Sequence, residues 1–368
     1  MIDVLLVKLD IIKENIEIIK KITNCDLIAV VKSNAYGIGV KYLVPFYQKI
    51  GIKYFFVNHY DEYQVIAPLL GKTQVIIMDS IKLKNDDKII YTINSYQDAL
   101  EVVNAQRKVT IHLQVDLKMN RLGIKSKAKM IEILSLLKKN PLIQIEGIYG
   151  HFPLSIDNVV DYKYLSDYFL EFTKLYPFKM IHACATPSLH KPIIGNFVRV
   201  GLGVYGMGNP YLKLKNAIAA YEKPIAILNL DIGDKVGYEA DNNVITKPSK
   251  VAVIPIGYYE VFNLDYISYL DQKYPKIGNS CMNHSHFIVD DKINNLTYLS
   301  ILKKNDTIDI EKINPYHYLI NLSNYRKIYI MRYQNDIFRI NKRKYHPSRK
   351  FKFRINSCQD VNPRIIRF

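Results

Sequence analysis

The stretch AVVKSNAYGIGV, from Ala29 to Val40, places a lysine directly after a run of small and β-branched apolar residues. Such a run predicts a buried strand, with Lys32 at its carboxyl end. Because lysine is seldom buried without a partner, its amine must reach solvent or bind something in a pocket. Asn34, Tyr36 and two glycines follow, which predicts that the chain turns away from the strand at this point.

Eight short apolar runs rich in β-branched residues alternate with segments of helical period up to about residue 205. The runs are LIAVVK (27–32), YFFV (54–57), QVIIM (74–78), KIIYT (88–92), VTIHLQV (109–115), IQIEGIYG (143–150), KMIHA (179–183) and VRVGLGVYG (198–206). This alternation predicts an α/β fold, an N-terminal (β/α)8 TIM-type barrel over residues 9–215. Barrel active sites lie at the carboxyl ends of the strands, which is where Lys32 falls.

A different pattern begins at about Asn216, where strand-like runs such as SKVAVIPIGYY are separated by turns and show little helical period. We therefore predict a mainly β C-terminal domain over residues 216–368. The N-terminal strand, residues 1–8, is expected to join it. Its last part, from about 340 to 368, is a basic tail.

The net charge of +17 raises the question of nucleic-acid binding. Residues 342–368 hold nine basic side chains against one acidic side chain, so this tail supplies about half of the excess. The remaining charges are interspersed, which argues against nucleic-acid binding as the main function. The four cysteines are scattered without a C-x-x-C pair, which favours reduced thiols and no metal site.

We expect a cytoplasmic protein. The apolar run at residues 4–7 is too short for a secretory signal and lacks a basic lead-in. No stretch approaches the roughly 20 apolar residues that a membrane span needs.

Polar residues follow several of the predicted strands. Arg121 follows one strand and His151 another, and both His182 and Thr186 follow a third. A fourth strand carries Arg199, with Gly201 and Leu202 just behind it. Any one of these residues is unremarkable alone, but their joint placement after successive strands predicts one polar site at the barrel mouth.

Nine segments, taken in order, resemble the motif series of the fold-type III alanine racemases. They are VVKSNAYGIG, VDLKMNRLG, GIYGHF, HACATPS, VRVGLGVYG, VGYEA, IPIGYYE, IGNSCMN and YHYLINL. The resemblance covers roughly residues 1–329, and the lysine, MNRLG and VRVGLGVYG segments are the most specific. It implies a homodimeric enzyme that uses pyridoxal phosphate to interconvert L- and D-alanine and so supplies D-alanine for peptidoglycan.

The resemblance also implies roles for individual residues. Lys32 would bind the cofactor covalently, and Arg199 would face its pyridine nitrogen. The remaining cofactor-binding positions, most of them at its phosphate, would be Tyr36, His151, Thr186, Gly201, Leu202 and Tyr316. The substrate-binding positions would be Arg121, Met282 and Tyr258.

Racemisation removes a proton from one face of the α-carbon and returns a proton to the other face, so it requires two bases. By the resemblance these are Lys32 and Tyr238, the tyrosine reaching in from the partner subunit. A free tyrosine has a pKa of about 10, so it needs cationic or hydrogen-bonding neighbours to act near neutrality. His151 and Arg199 are the candidates for that task.

The chain differs from the usual residues of the family motifs at a few positions. Gln114 stands where many members carry a carbamylated lysine that braces the arginine, and a neutral amide can accept a hydrogen bond from Arg121 but brings no charge. Tyr259 and Asn283 differ from the usual residues around the substrate entrance. Alternatives therefore remain: a racemase for serine or another small amino acid, a related decarboxylase, or a non-catalytic cofactor-binding protein.

Overall fold

The computed structural model describes residues 2–79, 83–153, 159–238, 243–260, 264–270, 272–302, 325–331 and 337–341. The chain divides into two compact units. One contains residues 9–217, and the other contains residues 2–8 together with the described strands that follow residue 217.

The first unit is built around an eight-stranded parallel sheet. Its strands are β2 (Asp26–Val30), β3 (Tyr54–Val57), β4 (Gln74–Ile77), β5 (Ile89–Ile93), β6 (Val109–Val115), β7 (Ile143–Gly150), β8 (Met180–His182) and β9 (Phe197–Val200). They are ordered β8-β7-β6-β5-β4-β3-β2-β9, and the bridge between Ala185 and Arg199 links the chain after β8 to β9. Each of the eight predicted runs contains a strand, although the last run (198–206) continues beyond β9 into a 3-10 helix at Leu202–Tyr205. The predicted barrel is confirmed.

Helices connect these strands. They are α1 (Leu9–Thr23), α2 (Lys32–Tyr36), α3 (Val40–Lys49), α4 (Tyr60–Ile66), α5 (Tyr96–Asn104), α6 (Lys127–Leu137) and α7 (Val159–Thr173). Short 3-10 helices span Ala67–Leu69, Thr186–Ser188 and Leu202–Tyr205. In α6 the apolar side chains of Met130, Ile133, Leu134 and Leu137 are buried, and the Ser126 hydroxyl accepts a 3.2 Å hydrogen bond from the Lys129 amide at the helix start.

Apolar side chains from neighbouring strands pack together in the barrel unit. One cluster joins Ile28, Phe56, Ile76, Ile90 and Tyr149, all at most 5% exposed. Burial of each such side chain contributes about 1.5–3 kcal/mol, which holds the strand ends in fixed positions. The polar residues behind those ends are therefore carried on a rigid base.

The second unit is a ten-stranded sheet. Its strands are β1 (Ile2–Lys8), β10 (Ile218–Glu222), β11 (Ala226–Leu230), β12 (Ser249–Ile254), β13 (Tyr266–Tyr269), β14 (Gln272–Ile277), β15 (Ser285–Val289), β16 (Leu299–Leu302), β17 (Tyr325–Met331) and β18 (Ile337–Asn341). The order is β11-β12-β15-β14-β13-β16-β10-β1-β17-β18. The N-terminal strand β1 pairs antiparallel with β10 and parallel with β17, and the other ladders are antiparallel. The mainly β composition predicted for this part of the chain is confirmed.

Within the described ranges no helix is long and apolar enough to cross a membrane. The same residues hold no group of three or more histidine, cysteine or acidic side chains placed to bind a metal ion.

Candidate active site

Lys32 lies directly after β2, where the backbone takes an unusual form. Four consecutive residues that are not glycine, Ser33 to Tyr36, have positive φ angles of 50°, 55°, 53° and 58°. Left-handed backbone costs L-residues roughly 1–2 kcal/mol each, so surrounding contacts must hold it. The Glu62 carboxylate accepts a 2.5 Å hydrogen bond from the Ser33 amide, and the Tyr205 hydroxyl donates a 2.9 Å bond to the Ala35 carbonyl. Strain of this kind concentrates at functional sites.

The amine of Lys32 is partly buried and surrounded by positive charge. Burial lowers its pKa from the ordinary lysine value, and the nearby Arg121 and Arg199 lower it further, whereas Glu62 opposes the shift. The lowered pKa favours the neutral amine, which is the nucleophilic form. The charges of Arg121 and Arg199 thus both act on the Lys32 amine.

Arg199 is 4% exposed and is held by carbonyl groups on its buried side. Its Nη2 donates to the Gly150 carbonyl at 2.6 Å, and its Nη1 donates to the carbonyl of His182 and to Nδ1 of the same residue, the latter at 2.8 Å. The guanidinium also lies over the Tyr149 ring, 5.2 Å from its centroid. These contacts fix the cation at the end of β9.

His151, at the end of β7, lies beside the same guanidinium. The two groups are 3.4 Å apart between Arg199 Nη2 and His151 Nδ1. Burial, followed by the charges of Arg199, Arg121 and Lys32, lowers the pKa of His151 to about 3. His151 is therefore a neutral imidazole at physiological pH, and its Nδ1 faces a cation as an acceptor.

Tyr36 and Gly201 meet at one corner of this site. Tyr36 is buried, and its ring packs edge-on against Tyr205 with centroids 6.3 Å apart. A Cβ built at Gly201 would overlap the Tyr36 hydroxyl and lie 2.5 Å from its ring carbon Cζ, so only glycine lets the phenol approach this backbone.

Thr186 and Leu202 provide further donors beside Gly201. The Thr186 hydroxyl accepts a 3.2 Å hydrogen bond from the Gly203 amide. Leu202 begins a 3-10 helix, and the first amides of a helix have no partner within it. A phenol, a hydroxyl and backbone amides thus converge on one place, as a phosphate group requires.

Arg121 is exposed, in a loop shaped by a 3.0 Å hydrogen bond from the Asn120 amide to Asp116. Gln114 has other partners: its carbonyl oxygen accepts from the Tyr149 hydroxyl at 2.7 Å, and its amide donates to the Leu122 carbonyl at 3.2 Å. Sequence reasoning expected that amide oxygen to be available to Arg121. In the structure Gln114 shapes the loop through Leu122 and is engaged by Tyr149.

Three other predicted residues belong to the second unit and lie near one another there. Tyr238 bridges Asn279, and the Tyr258 amide donates at 3.1 Å to the carbonyl of Cys281, the neighbour of Met282. The side chains of Tyr238, Tyr258 and Met282 are 63%, 56% and 52% exposed. Tyr316 and the basic tail beyond residue 341 lie outside the described residues.

Sequence reasoning missed two of the three polar residues behind Arg199. It noted His182 only as a residue at a strand end, and it assigned no role to His112 or Glu146. Both stand inside apolar runs, where a buried polar side chain is itself a signal. Glu62 was also missed, because its contact with Ser33 joins residues 29 positions apart.

We expect Gly201→Ala to lower both stability and phosphate-ester binding. The new methyl group would overlap the Tyr36 phenol, which is packed against Tyr205 and cannot move freely, and overpacking of this kind costs typically about 1–3 kcal/mol. Thermal unfolding and pyridoxal phosphate titration would measure both effects. Gly71→Ala is the matched control, since its nearest neighbour is the Gln48 side-chain oxygen at 3.3 Å. Equal behaviour of the two variants would contradict the predicted clash.

We also expect stability to fall as the pH drops below about 6.5. The pKa values of His112, His151 and His182 are all lowered in the folded chain, chiefly by burial, so the unfolded chain binds more protons in this range. Each histidine contributes up to about 1.4 kcal/mol per pH unit between its folded and unfolded pKa. Because the chain lacks tryptophan, far-UV circular dichroism is the suitable probe of melting.

The control for this pH effect is His151→Gln, which should flatten the dependence by removing one titrating group. A melting midpoint that is constant or rises between pH 7.5 and 5 would contradict the prediction. Equal slopes in the variant and the parent would exclude His151 as a source of the effect.

Comparison with known proteins identifies the family. A family model described as "Alanine racemase, N-terminal domain" matches residues 7–209. Alanine racemase of Listeria monocytogenes is 30% identical over 300 residues, covering 74% of this chain and 80% of the relative. Alanine racemase of Borreliella burgdorferi is 25% identical over 358 residues, covering 88% and 95%.

Solved structures share the fold. Alanine racemase from Bacillus anthracis with bound L-Ala-P gives a TM-score of 0.74 at 21% identity, covering 92% of this chain and 97% of that one. Alanine racemase from Bartonella henselae with covalently bound pyridoxal phosphate gives 0.72 at 20% identity, covering 88% and 97%. The family model matches most of the barrel, and the relatives match most of the chain. This chain therefore belongs to the alanine racemase family.

Proposed function

We propose that this chain is a pyridoxal-phosphate-dependent racemase that interconverts L-alanine and D-alanine. The observation that carries the proposal is the amine of Lys32, which stands at a barrel strand end with a lowered pKa beside Arg121 and Arg199. The names of the relatives and the cofactor in the Bartonella henselae enzyme agree with it.

The donors around Gly201 fit the phosphate of this cofactor. Tyr36, Thr186 and the amides of Gly201 and Leu202 are neutral donors, and Lys32 offers an amine for the aldehyde carbon. In this proposal Tyr316 completes the phosphate site. When bound, pyridoxal phosphate supplies a conjugated ring that draws electrons away from the α-carbon of an attached amino acid.

Arg199 would face the ring nitrogen and limit how strongly the ring withdraws electrons. A guanidinium that is buried and held by carbonyl groups has no acceptor capacity, so it opposes protonation of a nitrogen beside it. An acid beside that nitrogen would favour its protonation and make the ring a stronger electron sink, so Arg199 supports racemisation over decarboxylation. His151, neutral and bonded toward Arg199, would line the same side.

Lys32 and Tyr238 would move the protons. In this proposal Nζ of Lys32 exchanges a proton on one face of the α-carbon, and the hydroxyl of Tyr238 does so on the opposite face. Arg121 would bind the substrate carboxylate, with the backbone at Met282 as a second contact and Tyr258 beside the entrance. The exposure of Tyr238, Tyr258 and Met282 on one part of the second unit suits residues that act on another chain.

The proposed assembly is a homodimer in which each active site takes Lys32 from one subunit and Tyr238 from the other. We place it in the cytoplasm, where it would supply D-alanine for peptidoglycan. Dilution below the dimer dissociation constant should then reduce specific activity.

The proposed function is tested by α-proton exchange of L-alanine in deuterated water with the cofactor-loaded protein. NMR should show loss of the α-proton signal, and a chiral assay should show D-alanine appearing with deuterium at that carbon. A parallel panel with L-serine and other small amino acids would rank substrates, since Tyr259 and Asn283 alter the entrance. Absence of exchange with every amino acid would overturn the proposal.

A further inference from the structure

Three polar side chains extend from Arg199 into the barrel and have no part in the function proposed above. His182 and His112 are fully buried, and the Glu146 side chain is 12% exposed. His182 Nε2 lies 3.0 Å from His112 Nδ1, and His112 Nε2 lies 3.7 Å from Glu146 Oε2. A chain of groups thus runs from the cation at the barrel mouth to a carboxylate.

The direction of every hydrogen bond in this chain follows from Arg199. A guanidinium has donors only, so His182 Nδ1, 2.8 Å from Arg199 Nη1, must accept. The proton of His182 therefore sits on Nε2 and is donated to His112 Nδ1. His112 in turn carries its proton on Nε2, which faces Glu146.

This order of hydrogen bonds requires both imidazoles to be neutral. A second proton on either ring would sit on Nδ1 and would face the N–H donor of the preceding group. Burial lowers the pKa of His112 and of His182, which agrees with this requirement. His182 is also stacked on the Tyr149 ring, with centroids 4.9 Å apart and planes 9° from parallel. This stacking holds the plane of the His182 ring.

The sheet places Glu146 by a local irregularity. In the β6 and β7 pairing, Ile111 is opposite Ile145 but His112 is opposite Gly147, so Glu146 is the extra residue of a bulge. Bulges redirect side chains and are common beside active sites. Gly147 makes room as well, since a Cβ there would lie 2.7 Å from His112 Nε2.

The last contact of the chain joins two atoms that lack other partners. Among the described residues, His112 Nε2 and Glu146 Oε2 are buried and make no hydrogen bond. Their 3.7 Å separation is longer than a formed hydrogen bond. It nevertheless places the N–H donor of His112 opposite a carboxylate oxygen, which is an acceptor. Buried polar atoms without partners are rare, and two that face each other indicate a built contact.

We propose that Glu146 is a positioning residue that acts on Arg199 through His112 and His182. Its carboxylate fixes the proton of His112 on Nε2, so Nδ1 of His112 is an acceptor. That acceptor fixes the proton of His182 on Nε2. Nδ1 of His182 is then free of a proton and accepts from the guanidinium. The net positive charge of Arg199 is thereby matched by a carboxylate beyond two neutral rings. The link to a bound ring nitrogen rests on the proposed function, but the order of the protons does not.

The test is the protonation pattern of the two histidines, read by ¹⁵N NMR of the full chain labelled at histidine. Parent protein should show both neutral rings with the proton on Nε2 across pH 6–8. Glu146→Leu removes the acceptor and should populate the Nδ1-protonated form of His112. Glu146→Gln keeps an acceptor oxygen without charge and should restore the parent pattern, which makes it the rescue variant.

Kinetics of the loaded enzyme provide a second, independent result. Misplacement of Arg199 should lower kcat up to about a hundredfold in Glu146→Leu, with a smaller loss in Glu146→Gln. Gln144→Leu, an exposed position of the same strand, is the matched control and should behave as the parent. Circular dichroism of each variant identifies loss of fold. If Glu146→Leu unfolds, the inference is tested by the histidine protonation patterns of the parent and of Glu146→Gln.

Two outcomes would overturn the inference. One is a parent His112 with its proton on Nδ1, which would reverse the chain. The other is a folded Glu146→Leu whose histidine pattern matches the parent. If the parent lacks racemase activity but shows the predicted pattern, the proposed function fails while the role of Glu146 stands.

Discussion

Replacing Lys32 with alanine is expected to abolish racemisation, with kcat reduced by more than about 10⁴-fold. The variant lacks both the amine that would hold the cofactor and one of the two proposed bases. Because burial and two arginines lower the pKa of this amine, it should also be the lysine most readily joined to an aldehyde near neutral pH.

The measurement combines activity with covalent labelling. Pyridoxal phosphate followed by borohydride reduction should attach to Lys32 in the parent, as located by peptide mass spectrometry, and should leave the variant unlabelled at stoichiometric cofactor. Lys41→Ala is the matched control, because Lys41 is an exposed lysine of the adjacent helix α3. Parent-like activity in Lys32→Ala, or stoichiometric labelling of a different lysine, would sink the assignment.

The barrel could be predicted from sequence because each of its strands has a recognisable local sequence pattern. Each run is short, apolar and β-branched, and parallel strands buried on both faces need no alternation of polar residues. The position of Lys32 after the first run then led to the other strand ends, since the active site of a barrel lies on one face. That rule nominated Arg199 and Thr186 as site residues.

The backbone behind Lys32 could not be predicted in the same way. Ser33, Ala35 and Tyr36 have no intrinsic preference for left-handed geometry, and only Asn34 tolerates it well. The conformation is imposed by Glu62 and Tyr205, which are distant in sequence. Sequence indicated a turn here, whereas tertiary contacts determined its form.

The bulge at Glu146 was hidden for a related reason. A one-residue change in pairing register leaves no mark on the run IQIEGIYG, which reads as an ordinary strand. Likewise, Gln114 looked available to Arg121 because its bond to Tyr149 joins two different strands. The pairing register and the side-chain partners are decided by contacts between different strands. No short segment of a single sequence shows those contacts.

Replacing Tyr238 with phenylalanine is expected to reduce racemisation in both directions by about 10²–10⁴-fold while leaving half of the proton chemistry intact. Lys32 would still exchange the α-proton on its own face. One enantiomer of alanine should therefore incorporate deuterium from solvent without inverting, and the other should not exchange. Removal of one hydroxyl from a side chain that is 63% exposed should not disturb the fold.

The matched control is Tyr259→Phe, which removes a hydroxyl from a nearby tyrosine that is 68% exposed and has no proposed base role. It should retain near-parental rates. If Tyr238→Phe racemises as fast as the parent, or if both enantiomers still exchange at parental rates, the second base is another group.

Mixing the two inactive variants tests the shared site directly. In a dimer of one Lys32→Ala subunit and one Tyr238→Phe subunit, one active site receives both altered residues and the other receives neither. Random reassortment should therefore restore about a quarter of the parental activity. If each subunit used its own Tyr238, every site would lack one base and the mixture would stay inactive. Recovery on mixing would thus establish that Lys32 and Tyr238 act from different subunits, and its absence in a mixture with demonstrated subunit exchange would exclude that arrangement.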